Sequence, residues 1–352
     1  MTSGDHCDTG ANTALPKKGN AAVSVIMINR NGGSYLGPAV ATCRTAIEHA
    51  LTIEPRIEFL IVDNGSTDHP EAVIDQQLQG APFEWRVVHA LTPGVNHARN
   101  AGLEGSAGGL IFLVDSDVEF DPQWLSAYLL AASRHPGARV FAGRVKVGRL
   151  EMPAPSWLAL EGPLARTSIV VQCDYGNEVR EIPLDDSSGP VGPNMGFRRD
   201  VFTEFGNFDT RFGLRPGSLV PGAETEMFDR LARKGLRFLF VPGAIAYHPL
   251  KKSQMTKSYF RKRLHGVGRA ISRLRRSRGE RATRVLGVTL SVLPQLTIAA
   301  ARRIVSTLTF QSPAQRFHAT GDVAIWLGYL HEDFIDWRAG ASVNDRDSAP
   351  VP

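Results

Sequence analysis

The chain has 352 residues, with 40 Lys and Arg against 35 Asp and Glu, a formal net charge of +5. At roughly 100–200 residues per domain this is one large domain or two modest ones, and 43% hydrophobic with 21% charged residues excludes both a wholly disordered chain and a collagen-like one. Three scattered cysteines (Cys7, Cys43, Cys173) with no CxxC pair exclude a disulfide framework and a thiolate zinc site, and fit a reducing compartment. Residues 1–20 have no apolar core and read as a disordered leader rather than a secretory signal. Val23–Ile28 is a β-branched run that predicts a buried strand, followed by the turn Asn29-Arg30-Asn31-Gly32-Gly33. Residues 34–51 have helical spacing, Ile57–Val62 is a second strand ending in Asp63-Asn64-Gly65-Ser66-Thr67-Asp68, and a helix follows over 70–79. A strand from Trp85 to His89, a helix from Gly94 to Leu103 and a strand from Leu110 to Val114 complete the pattern, the last ending in Asp115-Ser116-Asp117. Strand and helix alternate from 22 to 134, which predicts an α/β, Rossmann-like fold: a mostly parallel sheet flanked by helices. In such sheets ligands bind outside the carboxyl ends of the strands, where the polar clusters at 29–33, 63–68 and 115–117 all fall.

Residues 147–190 are rich in Pro and Gly and read as an irregular insertion. Beyond it, 224–234 has helical spacing, 236–241 reads as a strand, and Ala244–Tyr247 is a strand-like run before His248. After Pro249 the composition changes: 251–284 is basic and helical, 285–335 apolar and helical, and the tail from 338 reads as disordered. The longest apolar stretch, Val285–Ala301, is shorter than the ~20 residues needed to span a bilayer and contains Pro294. An interfacial or partner-packed helix fits it better than a spanning one.

The chemistry-bearing residues cluster. Two carboxylates spaced i, i+2 after a buried strand, Asp115 and Asp117, can converge on a hard cation such as Mn²⁺ or Mg²⁺, which takes oxygen ligands and shares them with substrate phosphates; the plainer reading of Asp-x-Asp is a solvated turn. Asp63 is placed to accept hydrogen bonds from a nucleobase or ribose, although the segment is also an ordinary Asx turn before a helix. Arg99 is either solvent-facing or a phosphate anchor. His248 is either a satisfied histidine or a third metal ligand. Glu224 and Glu226 open a helix, where the helix dipole alone favours them; facing the crevice, either could act as a general base.

These motifs, in order, resemble family-two inverting glycosyltransferases of the GT-A fold. VSVIMINRNGGSYL, EFLIVDNGSTD, PGVNHARNAGLEGSAGGLIFLVDSDVEFDPQWL, GPNMGFRRDVF with FGNFDTRFG, and GAETEMFDRLARKGLRFLFVPGAIAYHP carry the resemblance over residues 21–250. It implies a nucleoside-diphosphate sugar donor contacted by Asn29, Asn31, Asp63, Asn64, Ser66, Arg99, Asp115 and Ser116. It also implies a divalent metal held by Asp115, Asp117 and His248, and an acceptor-side segment around Asn194. The family's base is usually the Asp of a Glu-Asp pair; alignment back from Arg230-Leu231 puts Ala223 and Glu224 there, so Glu224 is the expected base and Glu226 the runner-up. The first loop has Asn29-Arg30-Asn31 where Pro-Thr-Tyr-Asn is common.

The charge is not spread evenly. Residues 251–284 hold 13 Lys and Arg against one acid, Glu280, for a net +12, while the rest holds 27 basic and 34 acidic residues, a net −7. Phe260, Leu264, Val267, Ile271 and Leu274 form one apolar face of this segment. One reading docks that helix on the catalytic domain; another lays it on an anionic membrane surface. The expected organisation is therefore a leader (1–20), a catalytic domain (21–250), a basic then apolar helical extension (251–337) and a tail (338–352). A cytoplasmic enzyme, peripheral on the inner face of the membrane, with a glycan or lipid-linked acceptor, fits this layout. The rivals are a nucleotidyltransferase, which lacks its Gly-rich triphosphate loop here, and a non-catalytic nucleotide-sugar-binding protein of the same fold. Nucleic acid is not expected, since no base-reading or stacking motif accompanies the basic helix.

Overall fold

Val23–Asn29 (β1), Ile57–Asp63 (β2) and Leu110–Asp115 (β4) are almost continuously apolar because the sheet they form is covered on both faces, and every residue of the first two is buried. The computed structural model describes residues 20–166, 169–184, 189–280, 282–285 and 287–339; residues 1–19 and 340–352, expected to be leader and tail, lie outside the described residues. With Glu84–His89 (β3), these strands run parallel in the order β3-β2-β1-β4. The helices Leu36–Ala50 (α1), Glu71–Leu78 (α2) and Val95–Gly105 (α3) connect them. Each expected strand and helix of this half is present, within about two residues of its expected ends.

Beyond β4 the sheet becomes mixed. Glu119–Phe120 (β5), Val140–Leu150 (β6), Arg180–Pro183 (β7), Met195–Arg198 (β8) and Arg237–Leu250 (β9) extend the order to β4-β8-β6-β9-β5, with β7 on β9. Only β6 and β9 pair in parallel; β8, β5 and β7 are antiparallel to their neighbours. Trp124–Arg134 (α4), Asp200–Phe205 (α5) and Ala223–Ala232 (α6) complete the half. The run expected as a strand at 236–241 and the strand-like run before His248 are one 14-residue strand, β9, which carries His248 to the far side of the crevice.

The 147–190 segment is more than an irregular insertion. Its Leu158, Ile169 and Val170 form a second hydrophobic core with Leu250, Met255, Phe260, Leu264 and Phe317, and thereby seat the C-terminal helices Lys257–Ser277 (α7), Val292–Leu308 (α8) and Pro313–Arg338 (α9). The apolar face of α7 is used in this docking. Its helix crosses α9 closely enough that a methyl group on Gly268 would meet the Ile325 carbonyl, and one on Gly328 the His265 carbonyl.

The basic side of α7 also faces α9. Arg269 Nε lies 2.6 Å from Glu332 Oε2, Arg273 Nε 2.7 Å from Glu332 Oε1, and Arg276 Nη1 3.4 Å from Asp333 Oδ1. Arg275 and Arg278 pair with Glu280, and Arg278 also with Asp229. Burial would raise the Glu332 carboxyl, but the arginines outweigh it and hold it below the usual range. Part of the +12 is thus neutralised inside the protein by Glu332, Asp333 and Asp336, about 60 residues further along the chain. The expected helical run 285–335 opens instead with a hairpin, Arg284–Val285 (β10) and Val288–Thr289 (β11), turned by Gly287 at φ 78 against the Trp337 ring. No described helix is long and apolar enough to cross a membrane.

Candidate active site

Three parallel strands deliver their last residues to one crevice. Asn29 of β1 stands beside Asp63 of β2, and Ile28 beside Asp115 of β4. Asn29 is fully buried; its Nδ2 donates to Ser66 Oγ (3.2 Å), which also accepts from the Asn31 backbone N–H (3.0 Å). Asn31, in the left-handed region at φ 52, accepts from Thr67 N at 2.7 Å. These bonds lash the 29–33 loop to the 63–68 loop and leave Asn29 Oδ1 buried with no partner. Asp63 caps its own turn by accepting from Ser66 N (3.3 Å) and lies 3.9 Å from His89 Nδ1. Ser116 is buried behind the first loop, its N–H on the Ile28 carbonyl at 3.1 Å.

Asp115 and Asp117 flank this floor. Burial pushes the Asp115 carboxyl up to about 6; Arg99 and His248 oppose that rise, and Asp117 and Glu224 add to it. For Asp117 burial acts in the same direction, but His248 and Lys251 outweigh it and hold its carboxyl below the usual range. Lys251 Nζ is 2.8 Å from Asp117 Oδ2, and His248 Nε2 is 4.0 Å from Asp117 Oδ1. The His248 ring is fixed by its Nδ1, 2.9 Å from the Pro249 carbonyl.

Among the described residues no three His, Cys, Asp or Glu side chains converge as a ready-made metal centre. The donor set is two carboxylates and an imidazole around one ammonium. Its chemistry fits an open site for a hard divalent cation, with substrate phosphates completing the shell. A half-buried carboxylate with a raised pKa beside a second acid is also a place where added positive charge is favourable.

Across the crevice, α6 starts at Gly222, in the left-handed region at φ 105, and presents Glu224 in its first turn. Glu224 Oε2 lies 3.5 Å from Arg99 Nη1, and Arg99 is itself buried, bonded to Asn96 Oδ1 and laid over the Phe208 ring. Gly192 closes this corner: a methyl group there would crowd the Arg99 guanidinium and touch Glu224. Glu226 points elsewhere, in a two-pronged pair with Arg230 (Oε1–Nε 3.0 Å, Oε2–Nη2 3.1 Å).

Two expected site residues do other work. Asn64 donates to the Ala90 and Thr92 carbonyls (3.0 and 2.8 Å) and accepts from Gly94 N (2.7 Å), so its side chain pins the loop that leads into α3 and none of it is left for a donor. Asn194, expected on the acceptor side, is fully buried. It accepts from Trp124 Nε1 (2.8 Å) and Tyr128 OH (2.9 Å) and donates to the Arg144 and Ala244 carbonyls (3.1 and 2.9 Å), tying α4 to β6, β8 and β9. Asn194→Ala leaves an indole N–H and two carbonyls without this partner, so it should lower folding stability by about 3 kcal/mol. Urea denaturation reads that loss; a stable variant with altered acceptor KM would return Asn194 to the site.

Sequence reasoning missed three cations. Lys251 bonds Asp117 and lies over the Tyr35 ring, which Arg149 also faces. Arg263 of α7 reaches the Leu219 carbonyl and adds its charge near Glu224. Both Lys251 and Arg263 were hidden in a basic run whose average character masks single positions; the spacing His248-x-x-Lys251 at the end of a strand was the only local signal.

A parallel half-sheet closed by mixed strands, with acids at the carboxyl ends of β2 and β4, defines a nucleotide-type α/β crevice. A family model described as Glycosyl transferase family 2 matches residues 24–206, just over half of the chain, and the chain belongs to that family. Glu224, His248 and Lys251 lie beyond the matched residues. The mannosyltransferase PcManGT from Pyrobaculum calidifontis, solved in complex with GDP-Man and Mn²⁺, shares the fold with a TM-score of 0.52 at 14% identity, covering 91% of this chain and 88% of that one. The fold is GT-A. The glucosyl-dolichyl phosphate glucuronosyltransferase of Haloferax volcanii is 25% identical over 209 residues, 57% of this chain and 61% of that protein. Glycosyltransferase AglE of the same organism is 22% identical over 223 residues, 63% of this chain and 66% of that protein. The match therefore spans somewhat under two thirds of each relative.

Proposed function

We propose that the chain is an inverting, metal-dependent glycosyltransferase that moves a sugar from a nucleoside-diphosphate donor to a hydroxyl of a glycan or lipid-linked acceptor. The observation that carries this reading is the division of labour between two glutamates: Glu224 faces Arg99 in the crevice that holds Asp115 and Asp117, while Glu226 is held by Arg230. Family membership and the glucosyl-dolichyl phosphate enzyme among the relatives support the substrate classes.

In this reading Asp63 and the 29–33 loop hold the nucleoside, and Asn29, buried beneath that loop, holds the loop through Ser66. Glu224 takes the proton of the acceptor hydroxyl, whose oxygen attacks the anomeric carbon as the bond to the diphosphate breaks on the opposite face. Arg99 and Lys251 neutralise charge on the departing diphosphate. A divalent cation bound by Asp115, Asp117 and His248 would supply Lewis-acid stabilisation of the same leaving group. The two described cysteines are buried free thiols, in keeping with a cytoplasmic site of action. Four of the 13 cations of 251–284 (Arg269, Arg273, Arg276 and Arg284) are paired with acids of α9 and so are not offered to an anionic membrane.

Proton NMR of the first-formed product tests the stereochemistry. A single displacement gives the anomeric configuration opposite to the donor's; retention would require a second nucleophile and contradict the mechanism.

A further inference from the structure

Helix α8 wears its apolar side outward. Its buried positions, Val292, Ala299 and Ser306, are seven residues apart and form one narrow line of small to medium side chains against α9. The opposite side carries Leu293, Ile298, Ile304, Val305 and Leu308, which are 41–71% exposed, and Phe310 just past the helix end is 91% exposed. In a helix that merely completes a water-soluble fold the stripes are the other way round. An exposed apolar face of this extent marks a surface that meets something.

The charge says what it meets. From Arg281 to Gly321 there is no acidic residue and there are five arginines, 281, 284, 302, 303 and 316, of which Arg284 is paired with Asp333 and Asp336 of α9. Arg302 lies exposed at the edge of the apolar face, and among the described residues neither it nor Arg303 has an acidic partner; Arg303 bonds the Thr307 hydroxyl. A second copy of the chain, set on this face by two-fold symmetry, would bring arginines against arginines. An anionic bilayer offers both an apolar interior for the outward face and phosphates for the cations. The helix is about 25 Å long at 1.5 Å per residue, the dimension of an element that lies in the interface rather than crosses it.

The geometry points to α8 as an in-plane anchor to anionic lipid. The apolar face of α7 is spent on packing against the second core and α9, so α7 has no comparable outward apolar face to insert. The anchor is independent of the transfer reaction and is read by binding alone.

Sedimentation of the full chain with vesicles tests it, using phosphatidylcholine alone and phosphatidylcholine mixed with phosphatidylglycerol. The chain should pellet with the anionic vesicles, less with the neutral ones, and less again in high salt. Ile304→Asp with Leu308→Asp should weaken binding at least about tenfold, and Phe310→Ser, outside the helix, should weaken it without touching helix packing. Arg302→Ser with Arg303→Ser should reduce the preference for anionic vesicles. All three variants should melt at the wild-type temperature, since the changed side chains are exposed or partly so. A wild-type chain that stays in the supernatant, or variants that bind like wild type, would overturn the anchor. So would a wild-type chain that elutes as a dimer which Ile304→Asp with Leu308→Asp converts to monomer, because the face would then belong to a second copy.

Discussion

Glu224→Gln should lower the transfer rate by ~10²–10⁴, the usual share of general acid–base catalysis, while donor binding stays within a few-fold of wild type. The amide keeps the shape of the side chain and its place beside Arg99, 3.5 Å away in the native protein, but cannot take the acceptor proton. Glu226→Gln should behave in the opposite way. It weakens a partly buried pair with Arg230 at the i, i+4 spacing, an effect of about 1 kcal/mol on stability, and leaves transfer near normal. Steady-state kinetics on both variants, with nucleotide binding measured alongside, separates base from scaffold. Near-normal transfer by Glu224→Gln and its loss in Glu226→Gln would reverse the assignment.

Asp117→Ala should abolish the enhancement of nucleoside-diphosphate binding by Mn²⁺. Loss of an outer partner of a metal ligand already costs ~10–100-fold in metal affinity, and loss of a carboxylate ligand should cost at least as much. Metal-free binding should survive or improve, because Lys251, 2.8 Å from Asp117 in the native protein, is then released toward the phosphates. Calorimetric titration with and without Mn²⁺ reads both quantities. Equal Mn²⁺ dependence in the variant and the wild type would remove Asp117 from the metal site.

The strands that build the crevice were legible because their physics is local. A buried parallel strand needs a continuous apolar run, and Val23–Ile28, Ile57–Val62 and Leu110–Val114 each end in a polar residue that water or a ligand must satisfy. Asp63, Asp115 and Asp117 could be placed at one rim for that reason. Asn64 and Asn194 could not be sorted the same way. An asparagine after a strand looks alike whether it serves a ligand or the backbone, and the partners that decide the matter lie 26 to 30 residues away for Asn64 and 50 to 70 for Asn194. The pairing of the basic helix was hidden for a related reason. Its composition is visible in the chain, but Glu332 and Asp333, which pair with Arg269, Arg273 and Arg276, come about 60 residues later. The different surroundings of Glu224 and Glu226 were likewise invisible in the sequence, which does not show that Arg230 holds one and Arg99 faces the other.

The central claim is that this crevice breaks the bond between a sugar and a nucleoside diphosphate with help from a divalent cation and Glu224. Incubation of the full chain with a panel of UDP- and GDP-sugars, followed by chromatography of the nucleotide products, tests it most directly. At least one donor should yield nucleoside diphosphate in the presence of Mn²⁺, with little released in EDTA or by Glu224→Gln. Release of pyrophosphate from a nucleoside triphosphate and a sugar phosphate, or binding of every donor with turnover of none, would contradict the account.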